Sequence, residues 1–217
     1  LTYEAVAAHN PKLIYASLVG YAQNGPYAER PAYDDLIQGG SCIAYSFTRA
    51  GLRPAYVPTA IADRVVGLAA INAILAAVIE RQHSGLGQAV EVPMFETMVS
   101  ITLADHLGGL TFDPPLDDGG YPRQLSPERR PYQTQDGYVC ALIYTDAHWS
   151  RFFAAIGKPD MLTTDPRFSS FTARMTHINE VYAELGKILL TRTTKEWLQL
   201  FENADVPALP MHSFASV

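Results

Sequence analysis

The feature that most constrains the fold is an apolar stretch over residues 60–83, with Thr59 before it and Gly85 and Gly87 after it. Threonine can cap the first turn of a helix, and glycine is common just past the last turn. The apolar side chains cover most of the circumference of such a helix. The sequence therefore predicts a helix from Ala60 to about His83 that is buried on nearly all sides.

Strand patterns lie on both sides of this helix. Residues 13–19 are apolar and lead directly into a turn-rich loop at 20–26. Residues 89–92 form a second short strand pattern, followed by a helical pattern at 94–107, and residues 34–46 predict one further helix. A loop that follows a strand is where α/β proteins place ligands. These elements predict an α/β fold with a ligand site near the loop at 20–26.

The second half of the chain has a different pattern. Residues 108–131 contain glycine, proline and charged residues without a period, which is typical of a linker or a lid. We therefore expect a first unit at 1–107, a linker or lid at 108–131 and a small domain at 132–217. The predicted elements of the small domain are a strand at 137–144, helices at 147–156, 178–190 and 194–203, and a strand at 206–210.

Composition excludes several function classes. The net charge is −6 and no block of basic residues occurs, which argues against a nucleic-acid partner. The apolar run at 65–79 is shorter than the ~20 residues that span a bilayer, so we expect no membrane partner. Cys42 and Cys140 lie in apolar surroundings and predict buried free thiols, in keeping with a cytoplasmic location. No histidine or cysteine spacing indicates a metal site.

Four short segments, in this order, resemble segments of the family III (CaiB/BaiF) acyl-CoA:CoA transferases. They are G-Y-A-Q-N-G-P-Y at 20–27, P-A-Y-D at 31–34, A-I-A-D at 60–63 and S-G-L-G-Q-A-V-E-V at 84–92. The D-P-R-F sequence at 165–168 is also similar to a motif of this family. Each segment alone is weakly diagnostic, but together they extend the resemblance over essentially the whole chain.

The resemblance implies a fold and an assembly. Family members have a large Rossmann-like domain, a smaller inserted α+β domain, and two chains that interlock as a homodimer. This chain would then be an internal fragment, without the first Rossmann-like half and without the returning C-terminal segment. Its domains would be the second half of the large CoA-binding domain and the small domain. We expect the isolated fragment to be inactive.

The resemblance also implies a chemistry. The family transfers CoA between an acyl-CoA and a carboxylic acid through a covalent aspartyl intermediate, with no tightly bound cofactor. Asp63 matches the nucleophile, and its place in the first turn of a helix favours the anion. Asp34 matches a second acid of the active site. Contacts with CoA or the acyl group are implied for Tyr33, Met94, Gln23 and Gly25.

Three other interpretations of these residues remain open. A carboxylate such as Asp63 in a first helical turn is often only a helix stabiliser. A 2-methylacyl-CoA racemase or epimerase is an alternative, but it would need a base in place of Tyr33, for example His106, because a phenol with a pKa of about 10 is a poor base. A non-catalytic homologue that binds acyl-CoA is the third interpretation.

Overall fold

The computed structural model describes residues 2–217, and the chain divides into two compact units, one up to Tyr121 and one from Pro122 to Val217. The boundary lies inside the segment 108–131 that the sequence predicts as a linker or lid. Each unit combines helices and strands around its own hydrophobic core. The predicted three-part division, with the segment 108–131 as a separate element, stays a prediction.

The first unit contains two parallel strands and the helices that connect them. Its elements are α1 (Tyr3–Ala7), β1 (Tyr15–Val19), α2 (Asp34–Gly40), α3 (Ile43–Arg49), α4 (Ile61–Ser84), β2 (Ala89–Pro93), α5 (Met94–His106) and a 3-10 turn (Gly108–Thr111). Tyr15 pairs with Ala89 and Val19 pairs with Pro93. Parallel strands need a long crossover, which α2, α3 and α4 provide. The carboxyl ends of both strands therefore lie at the same edge.

A glycine makes the approach to β2 possible. The amide of Gly87 donates to the carbonyl oxygen of Pro11 at 2.7 Å. A Cβ atom at this position would collide with the backbone of Leu13. Only glycine allows the chain to pass so close to the segment that leads into β1.

The start of α4 differs from the prediction. Thr59 does not cap the helix, because its Oγ1 accepts a hydrogen bond from the guanidinium of Arg64 instead. The cap is the carboxylate of Asp34, whose Oδ1 accepts from the amides of Ala62 at 2.8 Å and Asp63 at 3.1 Å. The predicted end is confirmed, since Gly85 follows the helix with φ of 75° in the left-handed region.

The prediction that α4 is buried on nearly all sides is wrong. Its buried face is formed by Ala62, Val66, Ala70 and Ala77. Its open face carries large apolar residues that are each more than half exposed, namely Leu68, Ile71, Leu75 and Ile79. By length and composition alone, this helix is long and apolar enough to cross a bilayer. The mostly buried core helices of soluble proteins meet the same criterion. The absence of a membrane partner stays a prediction.

Two further predictions for this part of the chain are wrong. The single helix predicted over residues 34–46 is interrupted at Cys42, which has φ of 70°, so that α3 begins at Ile43. A non-glycine residue seldom takes this left-handed conformation, and the local sequence gives no signal for it. Both cysteines are free, but neither is buried: Cys42 is half-buried and Cys140 is exposed.

The second unit has a three-stranded antiparallel sheet covered by helices. Its elements are β3 (Tyr132–Gln133), β4 (Tyr138–Ala141), α6 (Asp146–Ala155), α7 (Met161–Thr164), a 3-10 turn (Pro166–Phe168), α8 (Phe171–Thr176), α9 (Ile178–Leu189), α10 (Thr194–Asn203) and β5 (Ala208–Pro210). The strand order is β3-β4-β5. The helices predicted at 147–156, 178–190 and 194–203 are confirmed within two residues at each end.

Aromatic side chains fill the core of the second unit. Trp149, Phe152, Phe153, Trp197 and Phe201 are each at most 2% exposed. Neighbouring rings of this set lie 5.5–6.3 Å apart between centroids. At these distances aromatic pairs add stability beyond the area they bury.

Candidate active site

The loop that follows β1 begins with a glycine that allows close packing. A Cβ atom at Gly20 would collide with the Cβ of Ala32. The carbonyl oxygen of Gly20 accepts a hydrogen bond from the amide of Phe95 at 3.0 Å. The segment after β1 is thereby joined to the first turn of α5, which follows β2. The ends of the two parallel strands share one site.

Two carboxylates from the second strand and its helix hold this loop. Glu91 accepts from the amide of Gln23 at 3.0 Å, and Glu96 accepts from the amide of Ala22 at 3.1 Å. The side chain of Gln23 donates to the carbonyl oxygen of Tyr21 at 2.9 Å. The amide of Gly25 closes a turn on the carbonyl oxygen of Ala22 at 2.9 Å. Gln23 and Gly25 therefore shape the loop, and their predicted contact with substrate stays a prediction.

An open cavity of about 420 Å³ lies at this edge of the strands. Its lining combines the end of β1, the first two turns of α4 and the start of α5. The lining residues are Leu18, Val19, Gly20, Arg30, Ala32, Asp63, Val66, Gly67 and Met94. The structure thus brings together two of the residues implied by the resemblance, Asp63 and Met94.

Asp63 is the third residue of α4, and its side chain is exposed. The partial positive charge at the amino-terminal end of a helix favours a negative charge at this position. Within residues 2–217, the carboxylate of Asp63 enters none of the hydrogen bonds or ion pairs seen in the structure, although its amide is bound by Asp34. An ionised and unpaired carboxylate that faces a cavity can act as a nucleophile.

Arg30 is a site residue that the sequence analysis missed. It lines the same cavity as Asp63, and its guanidinium lies 4.3 Å from the centroid of the Tyr27 ring. Stacking on an aromatic ring restricts the orientation of the guanidinium. A fixed positive charge in the cavity can hold an anionic group of a substrate. A single arginine in a loop gives no sequence signal for such a role.

Asp34 does not line the cavity, but it fixes the start of the helix that carries Asp63. Besides capping α4, its Oδ2 accepts from the Nε2 of Gln38 at 2.6 Å. Gln38 is fully buried, and its Oε1 accepts from the amide of Val57 at 2.8 Å. Both oxygens of Asp34 are therefore engaged in structural hydrogen bonds. Its predicted catalytic role stays a prediction, and Gln38 is a further residue the sequence analysis missed.

Tyr33 is placed outside the cavity. It is the residue that precedes α2, and its side chain is 74% exposed. His106, the base considered for a racemase, is also absent from the cavity lining, and its Nδ1 accepts from the amide of Tyr121 at 3.2 Å. The predicted contact of Tyr33 with CoA or the acyl group stays a prediction.

The match to a known family extends over the whole chain. The model of CoA-transferase family III matches residues 1–217. The chain belongs to CoA-transferase family III. The resemblance of its short motifs to this family is thereby confirmed, as is the mixed helix-and-sheet fold.

Individual relatives agree with this assignment. The succinate–glutarate CoA-transferase of Agrobacterium fabrum is 29% identical over 98% of this chain and 53% of its own length. A solved protein of Mycobacterium tuberculosis has a TM-score of 0.80 at 27% identity and covers 100% of this chain and 57% of its own. A CaiB/BaiF family protein of Brucella suis has a TM-score of 0.73 at 29% identity, again with 100% of this chain and 57% of its own. The chain spans about half the length of the relatives it matches.

Proposed function

We propose that this chain contributes the nucleophile to a CoA-transferase that moves coenzyme A from an acyl-CoA donor to a carboxylic acid. The observation that carries the proposal is the unpaired carboxylate of Asp63, at the start of α4, in a cavity that also contains Arg30 and Met94. The family match supports the reaction class, and the related succinate–glutarate enzyme supports dicarboxylic acids as one class of substrate.

The first half of the reaction forms a covalent intermediate. A carboxylate oxygen of Asp63 attacks the thioester carbonyl of the donor, the carbon–sulfur bond breaks, and CoA leaves as a thiolate. The product is a mixed anhydride between Asp63 and the acyl group. The thiolate then attacks the aspartyl carbonyl, which releases the donor acid and leaves CoA as a thioester on Asp63. No proton transfer is required in these steps.

The second half reverses these steps with the acceptor acid. The acceptor carboxylate attacks the aspartyl thioester, releases the thiolate and forms a second anhydride. The thiolate attacks the acyl carbonyl of this anhydride, which gives the new acyl-CoA and restores the Asp63 carboxylate. Arg30 provides a positive charge for the incoming carboxylate. The flexible side chain of Met94 suits contact with the apolar part of CoA or of the acyl group.

The test is to trap the intermediate on the full-length protein. The protein is incubated with a panel of acyl-CoA donors, treated with hydroxylamine or borohydride, digested, and analysed by mass spectrometry for modification at Asp63. We expect a donor-dependent modification there, and a loss of activity on the order of a thousandfold or more in Asp63→Ala. Asp35→Ala is the matched control, since Asp35 is an exposed acid outside the cavity lining.

Other outcomes would replace this proposal. Turnover that survives Asp63→Ala would show that another group performs the chemistry. Exchange of the α-proton without exchange of CoA would indicate the racemase alternative, and binding of acyl-CoA without turnover would indicate a non-catalytic homologue.

We also propose that activity requires more than residues 1–217 and that the complete protein is a homodimer. The basis of the first part is the share of the relatives that this chain spans, 53% of the succinate–glutarate enzyme and 57% of the Brucella suis protein. The homodimer is what the resemblance to the family implies. Light scattering of the full-length protein would measure its oligomeric state. CoA transfer by the 217-residue chain alone would contradict the first part of the proposal.

A further inference from the structure

A second cavity, of about 530 Å³, lies entirely within the second unit. This volume falls in the range of ordinary small-molecule sites. Its walls come from β4 and the residues that follow it, from α9 and from β5, and they are mostly apolar. Three arginines of the segment that precedes β3 also line it, namely Arg123, Arg129 and Arg130. No part of the transfer mechanism proposed above uses this cavity.

The charge in this cavity is unbalanced. Glu128 forms an ion pair with Arg130 at 2.8 Å. Within residues 2–217, neither Arg123 nor Arg129 forms an ion pair, and the side chain of Arg129 is exposed. An apolar cavity with two unneutralised guanidinium groups is suited to an anion that brings its own apolar surface.

The side chain of Arg123 contains a hydrogen-bond donor that is not satisfied within residues 2–217. Its guanidinium lies 5.1 Å from the centroid of the Tyr144 ring, which restricts its orientation. Its Nε is buried and has no hydrogen-bond partner within residues 2–217. Arg151 also has a buried, unpartnered Nε, but its other nitrogens bind the side chain and the carbonyl oxygen of Asp205. A buried donor without an acceptor is unfavourable. Since the Nε is closed to solvent, a bound carboxylate would pair with the terminal nitrogens of the guanidinium, which lines the cavity.

Two nearly buried tyrosines complete the polar part of the cavity. Tyr132 and Tyr182 line it, and each is 6% exposed. Burial, with the neighbouring Tyr182, raises the pKa of Tyr132 above its usual value, against the opposing influence of Arg123 and Arg130. The phenol of Tyr132 therefore stays protonated, so it is available as a hydrogen-bond donor to an anion.

We propose that this cavity binds an organic carboxylate with an apolar body, held by the guanidinium of Arg123 and by the phenol of Tyr132. The apolar walls favour such an acid over inorganic phosphate, which would bury no apolar surface. A guanidinium pairs with a carboxylate through two parallel hydrogen bonds, which gives orientation as well as affinity. The proposal is independent of the role of Asp63, because it concerns a different unit and needs no CoA.

Cys140 provides a local readout. It lines the cavity and is exposed, whereas Cys42 lies in the first unit and is half-buried. The full-length protein is treated with iodoacetamide in the presence and absence of phenylacetate or octanoate, and alkylation at each cysteine is followed by mass spectrometry. We expect a saturating acid to slow alkylation of Cys140 about fivefold or more and to leave Cys42 unchanged, with the protection curve giving the affinity.

Matched variants locate the bound acid. Arg123→Gln should weaken the protection about tenfold, as expected when a charge-assisted hydrogen bond is lost. Arg129→Gln, at an exposed position where folding is not at risk, should weaken it by a smaller factor. Arg53→Gln removes the same charge from an exposed position in the first unit and should have no effect.

Three results would overturn the proposal. One is that neither acid protects Cys140. Another is that Arg53→Gln weakens protection as much as Arg123→Gln does, which would indicate a general charge effect. The third is that inorganic phosphate or acetate protects as well as octanoate does at equal concentration, because the apolar walls would then contribute nothing.

Discussion

The two units of this chain reach their structures by different means. The core of the second unit is built from large aromatic rings, and its helices α6, α8 and α10 are capped by residues next to them in sequence, as Thr193 caps α10. The core of the first unit is smaller and contains alanine and valine, and its main helix is capped by Asp34, 28 residues away from Ala62. One whole face of α4 is also left exposed. We infer that the second unit is stabilised mainly by contacts between residues close in sequence. The first unit relies on contacts between residues far apart in sequence, and it leaves an apolar face of α4 exposed.

The largest expected effect is in the aromatic core. Phe152→Ala should lower the free energy of unfolding of the second unit by about 3–5 kcal/mol, because the removed ring leaves a cavity among close-packed neighbours. Both tryptophans of the chain, Trp149 and Trp197, lie in this unit, so urea unfolding followed by tryptophan fluorescence reports on it. Val66→Ala in the first unit is the comparison and should leave that transition unchanged. A loss below about 1 kcal/mol in Phe152→Ala would contradict the comparison.

The next effect concerns the two kinds of helix cap. Asp34→Ala should lower the stability of the first unit by about 2 kcal/mol, since it removes the cap of α4 and leaves the Nε2 of the buried Gln38 with only the carbonyl oxygen of Thr59, at 3.5 Å, as an acceptor. Hydrogen exchange of the amides in the first turns of α4 measures this loss. Thr193→Ala, which removes a local cap, should cost about 1 kcal/mol and affect only α10. Unchanged exchange in α4 of Asp34→Ala would show that the distant cap is dispensable.

Acid should destabilise the second unit. The amide and then the hydroxyl of Thr194 lower the pKa of Asp136, and the guanidinium of Arg167 lowers the pKa of Asp165. A carboxyl with a lowered pKa in the folded state contributes stability above its unfolded pKa, and this is lost as the pH falls through the folded value. We therefore expect the urea midpoint of the tryptophan signal to fall as the pH drops below about 4. Asp136→Asn should flatten this dependence, and an equally steep curve would contradict the assignment.

The smallest effect is expected on the open face of α4. Leu75→Gln should change the stability of the 217-residue chain by less than about 0.5 kcal/mol, because the side chain is 55% exposed. Hydrogen exchange in α4 measures this as well. In the full-length protein the same change should destabilise more if further residues cover this face. Equal effects in both proteins would show that the face stays open.

Much of the fold was predictable because its signals are local. Apolar periodicity located α9 and α10 within a few residues, and together with Gly85 at its end it located α4. The break at Cys42 could not be predicted, because a non-glycine residue in the left-handed conformation has no distinct sequence pattern. The burial of α4 could not be predicted either. An all-round apolar helix indicates which residues can be covered, and only the tertiary structure shows which ones are.

In the candidate site, too, local motifs were predictive and tertiary contacts were not. The motifs led to Asp63 and Met94, and both line the cavity. Arg30 and Gln38 were missed, since a lone arginine in a loop and a glutamine within a helix are common at positions without function. Asp34 was recognised from its motif, but its hydrogen bonds to α4 and Gln38 are tertiary contacts that the sequence does not contain.

The distant cap of α4 has a consequence for the order of folding. A capping box such as that of α10 closes within three residues, so this helix can form early and on its own. The free amides at the start of α4 are satisfied by Asp34 only after a loop of 28 residues has closed. Contacts that are separated by long loops form slowly. We therefore expect the position of Asp63 to be fixed late in folding, once α2 has packed against α4.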